Sequence, residues 1–342
     1  MKVDVHAHLF PSDYLDLLAR FGDSAAGTAV ARDLGADRTP ADLARRIHMM
    51  DRAGIDLQIL SICPQSPHLA DETHAIEAAR FINDSYADIV RAGSGRFGAF
   101  AALPLPHVAA SLAEISRALD KRGMLGICVT TAIAGAPLAD ERFAPIFAEL
   151  DRRGAVLFIH PVGLAGGSPA INEARLTWPL GAPLEDTLCL LQLLQARIPE
   201  RFPNVQIISA HLGGCFPMLK KRLDVQAPWY MPAGVELPGP TARSFWFDTV
   251  NGYPPALRCA CEAVGADRLL LGTDSPYWQD ELYQLAVDYV AQAGLSAAEV
   301  DGIYGGNAVR LFGDKLTDLP ERNSTSQSDG VDLTQEAQAT PK

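Results

Sequence analysis

The chain has 342 residues, of which 48% are hydrophobic and 20% charged, the composition of an ordinary globular protein. Aspartate and glutamate outnumber lysine and arginine by 41 to 29, and the formal net charge is −12. This acidic balance argues against a nucleic-acid partner and against docking on an anionic membrane. No window approaches the roughly 20 consecutive apolar residues that a transmembrane helix needs, so no membrane span is expected.

The cysteines are scattered and form no Cys-x-x-Cys pair, which predicts free thiols in a reducing compartment. They are Cys63, Cys128, Cys189, Cys215, Cys259 and Cys261. The stretch Met1–His6 enters an alternating strand pattern directly, without a charged segment followed by an apolar run, so no signal peptide is expected. Both features predict a cytoplasmic protein.

Short apolar runs alternate with longer amphipathic stretches along most of the chain. In chain order the candidate strands are Val3–His8, Leu57–Cys63, Phe97–Leu103, Gly126–Thr130, Val156–His160, Val205–His211, Phe245–Val250 and Leu269–Thr273. Helix starts are predicted at Thr39-Pro40 and at the capping box Ser296–Glu299. The other candidate helices are Thr73–Arg91, Val108–Arg122, Phe143–Arg153, Thr187–Arg197, Met218–Val225 and Pro255–Val264.

Eight strands that each precede a helix predict an α/β fold, the (β/α)₈ TIM barrel, over residues 1–313. The alternative is an open doubly wound sheet, which usually has a glycine-rich turn after its first strand, where this chain has His6-Ala7-His8. Residues 314–342 are rich in small polar and acidic side chains and are predicted to be a disordered tail. Phe21–Arg38 and Ala227–Arg243 are predicted to be long loops near the active site.

Five side chains that suit metal chemistry stand at or just after the ends of candidate strands. His6 and His8 are two residues apart and point to the same face of the first strand, His160 and His211 end the fifth and sixth, and Asp274 follows the eighth. Singly, these residues could be satisfied polar side chains, a packed core histidine or a helix cap. In a closed barrel they converge at the C-terminal rim, where together they predict a site for a borderline divalent ion such as zinc.

The motifs around these residues resemble those of a known family. His6-x-His8, Phe158–Pro161, His211–Gly214 and Gly272–Pro276 are similar to the motifs of the amidohydrolase superfamily. They match its branch of non-oxidative decarboxylases, typified by aminocarboxymuconate semialdehyde decarboxylase, and the resemblance extends from Met1 to about Gly313. It implies a metal-dependent hydrolase type of barrel and a homodimer or higher homo-oligomer.

The resemblance also implies roles for single residues. His6, His8, His160 and Asp274 would bind one zinc ion per subunit, and His211 would be the catalytic histidine beside it, with Asp274 assisting. Manganese accepts the same donors and stays open as an alternative.

Two aromatic residues resemble the branch's substrate contacts. Trp178 lies in Leu176–Gly181 and resembles a tryptophan that stacks on substrate, although a lid residue packing on the barrel mouth would look the same. Tyr277 resembles an aromatic residue of the pocket wall, and its alternative is a loop residue without such a contact.

Many hydrolytic members of the superfamily hold two metals bridged by a carboxylated lysine on the fourth strand. Gly126–Thr131 contains no lysine, which favours a single metal.

The typical decarboxylase also holds a second substrate carboxylate with two arginines, one of them in the loop after the first strand. That loop offers only Arg32 and Arg38, and Asp224–Gly234, where the other would fall, has none. A substrate with one carboxylate, such as a hydroxybenzoate, is therefore expected. Arg45 and Arg46 are expected to be solvated or salt-bridged.

The predicted function is non-oxidative decarboxylation of a small aromatic or muconate-like carboxylic acid. The main alternative is a mononuclear hydrolase or hydratase acting on a lactone, an enol or an amide. A metal-dependent nuclease is disfavoured by the acidic charge and by the Thr130-Thr131 strand end, where such enzymes want a glutamate. A non-catalytic binding barrel would have no reason to retain five convergent ligands.

Overall fold

The computed structural model describes residues 1–22, 25–93, 95–316 and 319. Eight parallel strands form one sheet in which the spatial order follows the chain order. They are β1 Val3–His8, β2 Leu57–Ser61, β3 Phe97–Ala102, β4 Gly126–Thr130, β5 Val156–His160, β6 Gln206–Ser209, β7 Trp246–Asp248 and β8 Leu269–Leu270. The last strand returns to the first, because Val5 N donates to Leu271 O at 2.9 Å and His8 N donates to Ser275 O at 2.6 Å. The predicted (β/α)₈ barrel is confirmed.

Helices cover the outside of the barrel. They are α1 Ser12–Arg20, α2 Ala25–Thr28, α3 Pro40–Ala53, α4 Glu72–Ala92, α5 Val108–Lys121, α6 Ala144–Arg153, α7 Pro169–Glu173, α8 Ala182–Gln195, α9 Ile198–Arg201, α10 Phe216–Tyr230, α11 Pro238–Thr241, α12 Pro254–Val264, α13 Asp280–Ala291, α14 Ala297–Asp301 and α15 Asn307–Phe312. Within the described part of the chain no helix has both the length and the apolar character to cross a membrane.

Local signals explain several boundaries. Thr39 Oγ1 accepts from Asp42 N at 3.1 Å, Pro40 occupies the first turn of α3, and Gly54 ends it in the left-handed conformation. The capping box predicted at Ser296 and Glu299 is present at the start of α14. These helix ends could be read from sequence because the atoms that satisfy them lie within four residues.

Other boundaries differ from the predictions. The first, fourth and fifth strands have the predicted bounds, whereas the other five are shorter than predicted, because the chain bends into loops at the barrel rim. The predicted loop Phe21–Arg38 contains the short helix α2. The predicted loop Ala227–Arg243 is partly wrong, since its first residues continue α10 as far as Tyr230 and α11 lies within it.

The predicted tail begins too early. Gly313–Leu316 form a turn of 3-10 helix, and Leu316 is only 8% exposed because it packs against the core. The remainder of that prediction falls on residues 317–342, which apart from 319 lie outside the described residues. All six cysteines are free thiols, as expected.

A buried polar network joins strands β1 and β2 to helix α3 on the outside of the barrel. Arg46 of α3 is 3% exposed and donates to the carbonyl oxygen of His8 and to Oε1 of Gln58, both at 2.6 Å. Gln58 in turn donates to Asp4 at 2.7 Å, and Thr273 Oγ1 donates to the same carboxylate at 2.7 Å. The expectation of a solvated or salt-bridged Arg46 is therefore wrong, because this side chain ties α3 to β1 and β2.

Candidate active site

The five predicted side chains meet at the C-terminal end of the barrel. His8 Nε2 lies 3.1 Å from His6 Nε2 and 3.1 Å from Asp274 Oδ1, and His6 Nε2 lies 3.4 Å from the same oxygen. The ring centres of His8 and His160 are 4.8 Å apart, and those of His160 and His211 are 5.6 Å apart. Residues remote in sequence therefore share one small volume.

One group of four offers ligand atoms that all lie within 4.8 Å of one another. It consists of His6, His160, His211 and Asp274. This group contains His211 in place of His8, so it overlaps the predicted ligand set without being identical to it. Three imidazoles and a carboxylate fit a borderline divalent cation in either arrangement.

Each imidazole is held at Nδ1 by an outer partner, which leaves Nε2 for the centre of the cluster. The pairs are His6 with Asp248 at 2.7 Å, His8 with Ser61 Oγ at 3.0 Å, His160 with the carbonyl of Pro161 at 2.7 Å, and His211 with Asp186 at 2.9 Å. These bonds fix ring orientation and tautomer before any ion binds.

None of these outer partners was identified from the sequence, and two of them are carboxylates. Asp248 ends β7, and each of its oxygens accepts hydrogen bonds. Oδ2 accepts from the His6 ring, and Oδ1 accepts from the backbone N–H groups of His211 and Val250, each at 3.0 Å. Asp186 belongs to α8 and directly precedes the predicted helix Thr187–Arg197. A carboxylate within a mostly apolar candidate strand, Phe245–Val250, was the available signal for Asp248, whereas Asp186 had none.

Backbone conformations with positive φ position His211 and Asp274 at the rim of the barrel. His211 and Leu212 have φ values of 52° and 58°, and Gly213 and Gly214 continue in the positive region. A Cβ at Gly214 would lie 1.9 Å from the carbonyl oxygen of Pro183, so this tight turn requires glycine there. Asp274 also has a positive φ, and its N–H donates to the carbonyl oxygen of His6 at 2.8 Å.

The electrostatics prepare the cluster for a cation. Burial acts to raise the pKa of Asp274, but hydrogen bonds to His6 and His8 outweigh it and hold that pKa well below its usual value. Burial lowers the pKa of His8 to about 4. For His6 burial also acts to lower the pKa, yet Asp248 and Asp274 raise it to about 10. The carboxylate is thus anionic and His8 neutral, the forms that bind metals, while His6 must release a proton on binding.

A cavity of about 560 Å³ opens above the cluster. His160, His211 and Asp274 form its floor, and Trp178 and Tyr277 are among its walls. Its described lining includes no lysine or arginine, and the volume falls in the range of small-ligand sites. Both aromatic residues thus line the cavity, and their contact with substrate stays a prediction.

Comparisons with known proteins identify the family. The amidohydrolase family model matches residues 3–313, so the chain belongs to this family. The chain is 27% identical to 2-amino-3-carboxymuconate-6-semialdehyde decarboxylase of Dictyostelium discoideum, over 92% of each protein. It is 32% identical to 6-methylsalicylic acid decarboxylase of Penicillium expansum, over 80% of this chain and 85% of the relative.

A solved structure gives the same result. The 2,6-dihydroxybenzoate decarboxylase from Rhizobium matches with a TM-score of 0.77 and 25% identity, over 91% of this chain and 98% of that chain. The comparisons confirm the predicted family and the predicted enzyme class, a carboxy-lyase of the amidohydrolase superfamily.

Replacement of Asp248 by asparagine tests the outer support of the cluster. Asp248→Asn removes the negative charge that makes the His6 imidazole more basic, and we expect the affinity of the cluster for a divalent metal ion to fall about 10- to 100-fold. Competition with a fluorescent zinc chelator measures this. Asp288→Asn, which makes the same change on the exposed face of α13, is the control and should leave affinity unchanged. Equal affinities of the two variants would contradict the role given to Asp248.

Proposed function

We propose that this protein is a divalent-metal-dependent, non-oxidative decarboxylase of small aromatic or muconate-like carboxylic acids. The observation that carries the proposal is the cluster of imidazoles and a carboxylate at the floor of an aromatic-walled cavity. The relatives support it, because those compared above are decarboxylases of aromatic or muconate acids.

The proposed ligands are His6, His8, His160 and Asp274, with one ion per subunit. We propose zinc, because its preference for imidazole nitrogen and carboxylate oxygen matches this donor set, while manganese accepts the same donors. A divalent cation bound there supplies positive charge that stabilises the negative charge developing on substrate oxygen atoms.

His211 is the proposed proton carrier, with Asp274 assisting. Decarboxylation breaks a carbon–carbon bond and leaves the electron pair on the substrate carbon, which must then take up a proton. Burial acts to lower the pKa of His211, but Asp186 outweighs it and the pKa stands above its usual value. His211 therefore carries a proton at neutral pH more often than a free histidine does, and Asp186 directs Nε2 toward the cavity.

The cavity walls favour a flat substrate. Trp178 and Tyr277 present aromatic surface on which an aromatic or conjugated acid can stack. Since the described lining contains no lysine or arginine, a cation held by the proposed ligands would receive the reacting carboxylate.

Release of carbon dioxide separates decarboxylation from the alternative of hydrolysis or hydration. We expect the metal-loaded protein to release CO₂ from at least one acid in a panel of 2,6-dihydroxybenzoate, 6-methylsalicylate and 2-amino-3-carboxymuconate-6-semialdehyde. Exhaustive chelation should abolish turnover, and zinc or manganese should restore it. Product formation without CO₂ would favour a hydrolase or hydratase, and full activity after chelation would refute the metal role.

The His211→Ala variant separates catalysis from metal binding. If His211 carries the proton, the variant keeps its zinc and loses turnover by roughly 100-fold or more. Metal analysis and CO₂ release are measured on the same sample, with the exposed His48→Ala as a control that should match the unaltered protein. Zinc lost in parallel with activity would instead make His211 a ligand, and wild-type turnover would refute both roles.

We also propose a cytoplasmic homodimer. Met218, Val225 and Trp229 lie on one face of α10 and are 74%, 64% and 82% exposed, an apolar stripe of the kind that partner subunits cover. We expect sedimentation to show a dimer and Trp229→Asp to shift it toward the monomer. A monomeric unaltered protein would contradict this proposal.

A further inference from the structure

One wall of the metal cavity was not identified from the sequence. Trp278 lines this cavity of about 560 Å³ together with Tyr277 and the segment that follows β7, and its side chain is half-buried. It stands in the turn that leads from Asp274 to α13. A tryptophan, the bulkiest of the side chains, therefore bounds the space above the proposed ligands.

The turn that carries Trp278 is tied to the cluster. The carbonyl oxygen of Asp274 accepts from the N–H groups of Tyr277 and Trp278, at 2.9 and 3.3 Å. The side-chain amide of Gln279 donates to the carbonyl oxygen of Leu34 at 2.8 Å, which joins the turn to the segment before α3. Because these hydrogen bonds hold the backbone on both sides of Trp278, the distance between this wall and the Asp274 carboxylate has little freedom.

The Trp278 ring rests on a glycine. Gly252 has a φ of 78°, and a Cβ at this position would lie 2.8 Å from Cη2 of the Trp278 ring. The same point lies 3.7 Å from Cδ2 of Leu285 on α13. Any side chain at position 252 would therefore displace the indole, and glycine is what allows the ring to lie this close to the backbone.

The chain that leads to this glycine is anchored to the same centre. Val250 N donates to Asp248 Oδ1 at 3.0 Å, and Asp248 is the carboxylate that also accepts from the His6 ring. One residue earlier, the carbonyl oxygen of Thr249 accepts from the buried hydroxyl of Tyr289. The ring and the backbone beneath it are thus both fixed relative to the cluster, and a larger ligand would have to break these hydrogen bonds to push the wall back.

The side of the cavity at Trp178 is different. Trp178 is 37% exposed, and it also lines a neighbouring cavity of about 910 Å³. A substituent that extends toward Trp178 therefore points to further space, whereas one that extends toward Trp278 meets a ring packed on Gly252. The metal cavity is thus asymmetric, with one aromatic wall beside open space and another that is fixed.

We propose that Trp278 is a specificity residue, which admits only small substituents on the side of the substrate ring that faces it. This inference rests on the proposed function, which holds the reacting carboxylate at the cluster and so fixes where the ring lies. Trp278 takes no part in the proton transfer, because its bulk acts on which acids can enter. The substrate class is an aromatic acid that carries hydrogen, hydroxyl or methyl on this side and any larger group toward Trp178.

Binding of substituted salicylates tests the inference. The probes are salicylate and its methyl and isopropyl derivatives at each free ring position, and calorimetry on the zinc-loaded protein gives each Kd. We expect at least one ring position at which the isopropyl derivative binds roughly ten-fold or more weakly than the methyl derivative, the discrimination that a closed apolar wall gives. At other positions the two derivatives should bind alike, because the Trp178 side adjoins open space.

Three variants assign the discrimination to a residue. Trp278→Ala removes the wall, and the Kd values of the two derivatives should come within about two-fold of each other. Trp278→Phe keeps an aromatic wall with a smaller ring, so its discrimination should be intermediate, and it serves as the test if the alanine variant does not fold. Tyr253→Ala removes a ring that is 62% exposed and is not among the described residues lining the cavity, and it should retain the full discrimination.

The outcomes separate this inference from the function on which it rests. If salicylates bind but the unaltered protein does not distinguish methyl from isopropyl at any position, the specificity role is overturned and the decarboxylase proposal stands. The same holds if both Trp278 variants keep the full discrimination, or if Tyr253→Ala relaxes it as much as they do. If no probe binds the zinc-loaded protein, both proposals are overturned.

Discussion

The structure depends on one constraint: four imidazoles must present Nε2 to a common point inside a barrel mouth. Each ring meets this constraint through a hydrogen bond at Nδ1, and the acceptors include two buried carboxylates, Asp248 and Asp186. A buried carboxylate without a partner would be costly, so ring and carboxylate stabilise each other. Asp274 keeps its negative charge among the imidazoles, because hydrogen bonds to His6 and His8 hold its pKa well below the usual value.

The barrel supplies this geometry because its strands all end at the same rim. Asp4, Gln58 and Arg46 form a hydrogen-bonded layer beneath the cluster, and Arg46 holds the carbonyl oxygen of His8 itself. The first strand, which carries two of the histidines, is therefore fixed from below as well as from its sides. Rigid support of this kind keeps the imidazole nitrogens in place.

Above the cluster, Trp178 lines two neighbouring cavities, one of about 560 Å³ over the imidazoles and one of about 910 Å³ beside it. The cavity over the imidazoles has aromatic walls and no lysine or arginine among its described lining residues. Aromatic surface binds many flat acids with little discrimination, so substrate choice depends on the groups around it.

The sequence by itself determined the barrel, most strand positions and the five metal-site candidates, because strand periodicity, helix caps and the position of a residue at a strand end are local properties. Tertiary structure alone decided which atoms meet. His6 and Asp248 are 242 residues apart, Asp186 lies on a helix with no local sign of its role, and Arg46 is buried although its neighbour Arg45 is exposed. Such pairings follow from how strands and helices pack in space, and no short stretch of chain records that.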